Sequence, residues 1–224
     1  IARFVDWQIE VAVAEGRQAD ALQKGIELLR LARLSQAEPG LIGGLLANAV
    51  HGVAVQALCD ALSSGKIPAE LHAALQRELA LEDNLQSAAW TLKSERALVI
   101  AAIQDQFGGV QGLFMNTIGR SMKLHHTAAL DFFDAVLPDA VAPWHEVAAK
   151  SPPSMMFKKS TGLGVMADMI QPPIEVTYES ANRALAVTRS LRVYNALRQF
   201  AAEHGREAEG LGDLALPKEM TIDP

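Results

Sequence analysis

The sequence predicts an all-α protein of stacked antiparallel helical hairpins. Apolar residues recur at helical spacing in nearly every long segment of the 224 residues, and no stretch shows the sustained apolar–polar alternation of a strand. β-Branched residues are dispersed among alanines and leucines, which favours helix. With 50% hydrophobic residues, a chain of this length buries enough apolar surface to fold without disulfides or a metal. We therefore predict a single all-helical domain over residues 1–224.

The first three helices are predicted over residues 2–14, 18–34 and 41–62. Glu15-Gly16-Arg17 forms a tight turn after the first helix, and Pro39-Gly40 breaks the chain before the third. The third helix carries only a narrow polar strip on an otherwise apolar surface, which predicts a buried core helix and not a membrane span. Residues in this strip include Asn48, Gln56 and Asp60.

The rest of the chain is predicted to be helical with one long interruption. Pro68 stands at the start of the fourth helix, which runs through Leu71, Leu75 and Leu79. By apolar spacing, further helices are expected over residues 84–107, 119–137, 141–149 and 174–204. The interruption is a Pro- and Gly-containing irregular segment over 151–173, and a turn-rich tail covers 205–224.

Charge and cysteine content exclude several classes of function. The chain has 20 Lys and Arg against 26 Asp and Glu, without a basic stripe, so nucleic acid is not an expected partner. Cys59 is the single cysteine and has apolar neighbours, which is typical of a small buried hydrophobe. The usual zinc-ligand, phosphate-loop and catalytic-serine motifs are missing, so we assign no catalytic residue, no metal and no cofactor.

Glu95 and Arg96 are candidate residues for a groove between helices. Arg96 falls on the same helical line as Leu92 and Val99, so its charge must be paired or must reach solvent. One interpretation is a partly buried ion pair that serves the fold. The other is an anion-binding arginine in an interhelical cleft, because guanidinium groups recognise carboxylates and phosphates well.

The Met155-Met156-Phe157 patch is a second candidate contact, in the irregular segment. Flexible methionines beside an aromatic ring suit an adaptable protein or peptide contact. The competing interpretation is that these side chains pack over the core as a lid.

A pair of neighbouring histidines defines an alternative site for a ligand or a metal. His125 and His126 are adjacent, so on a helix they point about 100° apart and do not both face one ion. Asp134 lies about two turns from His126 on a loosely shared face, with Asp131 at the rim. One of the histidines would then act as a ligand or a general base. A half-exposed helix surface is the other interpretation.

Three stretches of the sequence resemble known families. The first two predicted helices are similar to one tetratricopeptide-type hairpin, with small residues where paired helices approach, and its marker residues are Gly16, Ala21, Gly25 and Leu28. The run Leu92-Lys93-Ser94-Glu95-Arg96-Ala97-Leu98 resembles a Leu-x-x-Glu-Arg-Ala-Leu element of uncharacterised bacterial families of helical proteins. The chain end from Tyr194 through Gly205 and Leu211 to Asp223-Pro224 resembles their C-terminal segment and the tail of type II secretion pseudopilins. The resemblance implies an exported or membrane-anchored helical protein and carries no activity with it.

These observations together predict a non-enzymatic helical interaction or scaffold protein that binds a protein or peptide. The resemblance implies an extracytoplasmic location, periplasmic or membrane-anchored through a segment outside this chain, and a cytoplasmic location is the alternative. The alternative function is a small-molecule- or metal-binding protein, or an enzyme, with its site around His125 and His126.

Overall fold

The prediction of an all-α protein is confirmed. A computed structural model of the chain describes residues 1–63, 65–83, 86–107, 127, 130–142, 146–147, 165–214, 216–217 and 220. Throughout these residues the regular elements are helices, and none of them forms a strand. Helical spacing of apolar residues is thus the pattern that determines the local structure.

The N-terminal hairpin consists of α1 (Ala2–Ala14) and α2 (Gln18–Gln36). Gly16 turns the chain between them with a φ of +74°, a conformation that costs glycine nothing because it has no Cβ. Arg17 closes the turn by pairing with Glu15 and with Asp20, whose Oδ2 lies 2.9 Å from the guanidinium. The predicted bounds of the first helix are the observed ones, and α2 runs two residues further than predicted.

The next three helices are α3 (Leu41–Ser63), α4 (Ala69–Glu82) and α5 (Gln86–Phe107). Within the described part of the chain, α3 is the one helix that is long and apolar enough to cross a membrane. The core helices of water-soluble proteins can have the same length and composition, and 56% of the most apolar stretch of α3 is buried by the protein itself.

The last helix, α6 (Val165–His204), is longer than predicted. The sequence places its start after the two prolines Pro172 and Pro173, because proline lacks the N–H that a helix interior uses. Proline also holds φ near −65°, which is a helical value, and the observed helix continues through both residues. The first part of the expected irregular segment, 151–164, lies outside the described residues.

The region before α6 is described only in part. Residues 130–136 are helical, as expected from the predicted helix 119–137. A short 3-10 helix follows at Asp139–Val141. The sequence predicts an α-helix over 141–149, and within that range residues 146–147 are helical.

The chain divides into two compact units. Unit 1 comprises Ile1–Ala37, Leu45–Asn84 and Asn182–Pro224, and unit 2 comprises Glu38–Gly44 and Leu85–Ala181. The helices α3 and α6 each supply residues to both units. The single domain over 1–224 stays a prediction.

The core of unit 1 is made of leucine, isoleucine and alanine side chains from α1, α2, α3, α4 and the C-terminal half of α6. Its fully buried large members are Ile9, Leu22, Ile26, Leu28, Leu29, Leu58, Leu62, Leu75 and Leu79. Gly25 allows α2 and α3 to approach closely, because a Cβ at this position would lie 2.5 Å from Leu58 Cδ2. The sequence marks Gly25 as a close-approach residue, and the structure shows that its neighbour is in α3.

Unit 2 has a separate and more aromatic core. Phe132 and Phe133 meet edge to face with ring centroids 5.6 Å apart, and Tyr178 donates a hydrogen bond from its hydroxyl to the Asp139 carbonyl at 2.9 Å. Aromatic pairs in this geometry stabilise a core beyond the area that they bury. The other buried apolar members are Leu41, Ala88, Ala89, Leu92, Val136, Ala140, Val147 and Ile174.

Candidate functional site

The outward side of α1 exposes two aromatic rings. Phe4 and Trp7 are one helical turn apart, with ring centroids separated by 6.3 Å, and 60% and 58% of their surfaces are exposed. Val11, four residues after Trp7, continues the same line and is half-buried. We call these three residues the aromatic face of α1. Large exposed apolar side chains in a contiguous stripe are typical of contact surfaces.

The opposite side of α1 is buried in the core of unit 1. Ile9 and Ala12 are completely buried, and Val5 packs against the same cluster. A polar contact also ties α1 to α2, since Lys24 donates a hydrogen bond to Gln8 at 3.0 Å. The aromatic face therefore lies on a helix whose other side is packed in the core.

Charged residues border the aromatic face on one flank. Arg3 and Glu10 are both exposed and stand seven residues apart, which places them on the same side of α1. Asp6 lies further round the helix and is half-buried. The face thus has an apolar centre and a mixed-charge rim, the arrangement found in protein interfaces.

Two buried histidines fasten helices within unit 1. His51 Nε2 of α3 lies 2.9 Å from the Thr188 hydroxyl of α6. Burial lowers the pKa of the His51 imidazole to about 4, so the ring is neutral at pH 7. Its hydrogen bond connects α3 and α6, which is a structural role.

The second histidine, His72 of α4, bonds to Asn195 of α6. The Asn195 amide nitrogen donates to the backbone carbonyl of His72 at 3.0 Å, since a carbonyl can only accept. This fixes the orientation of the Asn195 amide, and its oxygen therefore faces the His72 imidazole ring. His72 Nδ1 lies 2.8 Å from that oxygen and therefore carries the proton. Both groups of Asn195 are used, which suits a residue with no exposed surface.

One carboxylate holds two arginines at the end of α4. Asp83 accepts from Arg189 Nε at 3.0 Å and from Arg192 at its other oxygen. All three side chains are at most 15% exposed. A carboxylate shared by two guanidinium groups in this environment is a strong charge-assisted contact. This cluster joins α4 to α6 and was not predicted.

Partly buried ion pairs connect α2 to α4. Glu78 lies 2.7 Å from Arg30 and 2.9 Å from Arg33, and the hydrogen bond from Arg30 is the main cause of its lowered pKa. Arg33 also reaches Glu82 at 3.1 Å. Burial raises the pKa of Glu82 despite that partner.

The predicted groove residue Glu95 is engaged at the N-terminus of α3. Its carboxylate accepts a hydrogen bond from the Leu41 N–H at 2.9 Å. The neighbouring Ser94 hydroxyl accepts from the Gly40 N–H at 2.8 Å. The first N–H groups of a helix have no partner within it, and α5 supplies one acceptor for the first N–H of α3 and another for Gly40, the residue before the helix.

Arg96 forms an ion pair with Asp134 at 2.9 Å. The Arg96 side chain is 32% exposed and that of Asp134 is 59% exposed, which agrees with a partly buried ion pair, one of the two interpretations of this residue. The pairing also joins the predicted groove to the alternative site, which included Asp134. Asp131, of the same alternative site, is exposed.

The other predicted site residues lie outside the described residues: His125, His126, Met155, Met156 and Phe157. Among the residues that are described, no group of three or more His, Cys, Asp or Glu side chains is placed to bind a metal ion. Cys59 is half-buried, packs against the unit 1 core, and has a pKa raised mainly by burial, so its thiol is protonated at neutral pH.

Comparison of the chain with protein-family models, with curated proteins and with solved structures gives no match. The resemblance to exported helical families therefore stays a prediction. The class that the described residues define is a helical protein with an exposed aromatic surface on its N-terminal hairpin.

Proposed function

We propose that this chain is a non-enzymatic helical interaction protein and that the aromatic face of α1 is its contact surface. The observation that supports the proposal is that α1 is apolar on two opposite sides. The side with Ile9 and Ala12 is used by the core of unit 1. The side with Phe4 and Trp7 contributes nothing to that core and remains open to solvent.

The exposed area is large enough to matter for binding. A buried aromatic side chain removes about 150–250 Å² from water, so covering the exposed parts of Phe4 and Trp7 removes on the order of 200 Å². At about 25 cal/mol per Å², this contributes about 5 kcal/mol before the entropic cost of association. Tryptophan and other aromatic residues carry much of the binding energy in protein interfaces.

We propose the aromatic face as the contact surface instead of the predicted groove, because the side chains of Glu95 and Arg96 already contact other residues of unit 2. Glu95 accepts from the backbone of α3, and Arg96 is paired with Asp134. Truncating these side chains would first remove contacts that serve the fold. The side chains of Phe4 and Trp7 are mostly exposed and lie outside the core of unit 1, so substituting them removes little packing.

Site-specific cross-linking tests the proposal. A photoreactive residue placed at Ala14, exposed at the end of the same line on α1, should give protein adducts in the native cells. Phe4→Ser/Trp7→Ser should abolish the adducts. Trp90→Ser is the matched control, because Trp90 of α5 is 50% exposed, and it should leave the adducts intact. Adducts that survive the double variant, or are absent altogether, would contradict the proposal.

An extracytoplasmic location is part of the same proposal. It is supported by the resemblance of the chain end, from Tyr194 to Asp223-Pro224, to segments of exported helical proteins. Fractionation of cells that produce the unprocessed gene product tests this, with protease accessibility of the intact cells or spheroplasts as the readout. Recovery of the protein only from the cytoplasm would overturn the location without affecting the contact surface.

A further inference from the structure

The exposed apolar and charged residues of α1 are arranged so that they are complementary to the same residues of a second, antiparallel α1. Trp7 stands at the centre of the line, with Phe4 on one side and Val11 on the other. Arg3 and Glu10 occupy the same flank, one before and one after the centre. A second α1 lying antiparallel about a two-fold axis at Trp7 would therefore present Glu10 to Arg3 and Arg3 to Glu10.

The packing of the apolar residues agrees with the same axis. In an antiparallel pair centred on Trp7, the level of Phe4 corresponds to position 10 of the other helix. Phe4 then fits between Trp7 and Val11 of the second copy, as a knob fits a hole in a helix pair. The two tryptophans lie at the centre, and each surface uses the same residues, as a two-fold interface requires.

The charges favour this arrangement over the other ways of covering the face. In a parallel pair, the flank of one helix that carries Arg3 meets the other flank of the second helix. Arg3 would then lie beside the uncharged side chains of Ile1, Val5 or Gln8. A lipid surface is matched by helices rich in Lys and Arg, whereas α1 carries Asp6 and Glu10 against Arg3 alone.

We infer that the partner bound by the aromatic face of α1 is a second copy of this chain, in an antiparallel α1–α1 pair with reciprocal Arg3–Glu10 contacts. The inference rests on the proposed function, because it names the partner of the same surface. A helix of 13 residues is only about 20 Å long. Its pair buries less than the roughly 800 Å² per partner of a standard interface, so the dimer is weak and depends on concentration.

Sedimentation velocity of the purified chain over a wide concentration range is the first measurement. We expect a reversible monomer–dimer equilibrium. Phe4→Ser/Trp7→Ser should weaken association at least about tenfold, because aromatic residues at the centre of an interface dominate its energy. Trp90→Ser should leave association unchanged. Circular dichroism of each variant verifies the helical fold.

Charge exchange tests the antiparallel register specifically. Arg3→Glu and Glu10→Arg should each weaken self-association by about threefold or more, because like charges then face each other twice. The double variant Arg3→Glu/Glu10→Arg should recover it. Mixing the two single variants should give a heterodimer, since every facing pair is then of opposite charge.

The outcomes separate this inference from the proposed function. A chain that stays monomeric at every concentration overturns the inference, and so does association that ignores the charge exchanges. If the monomeric chain still gives face-dependent adducts with another protein in cells, the proposed function stands and only the identity of the partner is wrong. Face-dependent binding to phosphatidylglycerol vesicles by a monomeric chain would also overturn the second copy.

Discussion

Replacing Gly25 of α2 by alanine tests how closely α2 and α3 approach within unit 1. An added Cβ would lie 2.5 Å from Cδ2 and 2.7 Å from Cγ of Leu58. Leu58 is fully buried in the core of unit 1, so moving its side chain requires its close-packed neighbours to rearrange. Gly52, in α3, is the matched control, because it is exposed and a Cβ there would meet nothing within 4 Å.

Two opposing effects decide the result for Gly25→Ala. Alanine is better than glycine in a helix interior by about 1 kcal/mol. Overpacking a filled core costs about 1–3 kcal/mol, and the position of Leu58 places this site near the middle of that range. We expect Gly25→Ala to destabilise unit 1 by about 1 kcal/mol, whereas Gly52→Ala should stabilise it by about 1 kcal/mol.

Urea unfolding followed by circular dichroism measures both free energies of unfolding, and hydrogen exchange of the α2 and α3 amides assigns the change to unit 1. A double-mutant cycle with Leu58→Ala isolates the contact. In the Leu58→Ala background, Gly25→Ala should become stabilising, because the obstructing side chain is gone. If Gly25→Ala stabilises the protein as much as Gly52→Ala does, the close approach of α2 and α3 is refuted.

Two further predictions concern the polar contacts of unit 1. The pKa of folded His51 is about 4 and that of an unfolded histidine about 6.5, so stability should fall by on the order of 3 kcal/mol as pH drops between these values and then level off. NMR titration and urea unfolding of wild type and His51→Gln test this, and a folded imidazole that titrates near 6.5 would contradict it. Asp83→Asn should cost about 3 kcal/mol, because it leaves Arg192 buried beside a neutral amide. Asp20→Asn, in the exposed first turn of α2, should cost at most about 1 kcal/mol. If the two variants lower the melting temperature equally, the predicted difference between their free energies of unfolding is wrong.

The candidate contact surface was not predicted, although part of its signal is present in the sequence. The spacing of Phe4, Trp7 and Val11 marks one side of α1, and Ile9 and Ala12 mark another. With two apolar sides on one helix, periodicity does not indicate which side faces the core. The structure shows that the smaller side chains are buried and the aromatic rings are exposed.

The predicted groove residues Glu95 and Arg96 also show that the sequence does not identify tertiary partners. The position of Arg96 on an apolar line indicated that its charge needs a partner. That partner, Asp134, is 38 residues away, and the sequence assigned it to a different site. Glu95 was a candidate binding residue by its neighbourhood alone, and its contact with the start of α3 depends on how α5 packs.

The helices themselves are a property of the sequence. Apolar spacing, turn glycines and prolines act within a few residues, and the start of α1, α2 and α3 follows from them because the backbone hydrogen bonds of a helix are local. The polar contacts that fasten α6 to the rest of unit 1 are a property of the tertiary structure. Asn195 bonds to His72 across 123 residues and Arg192 to Asp83 across 109, and such pairs form only once packing has brought the helices together.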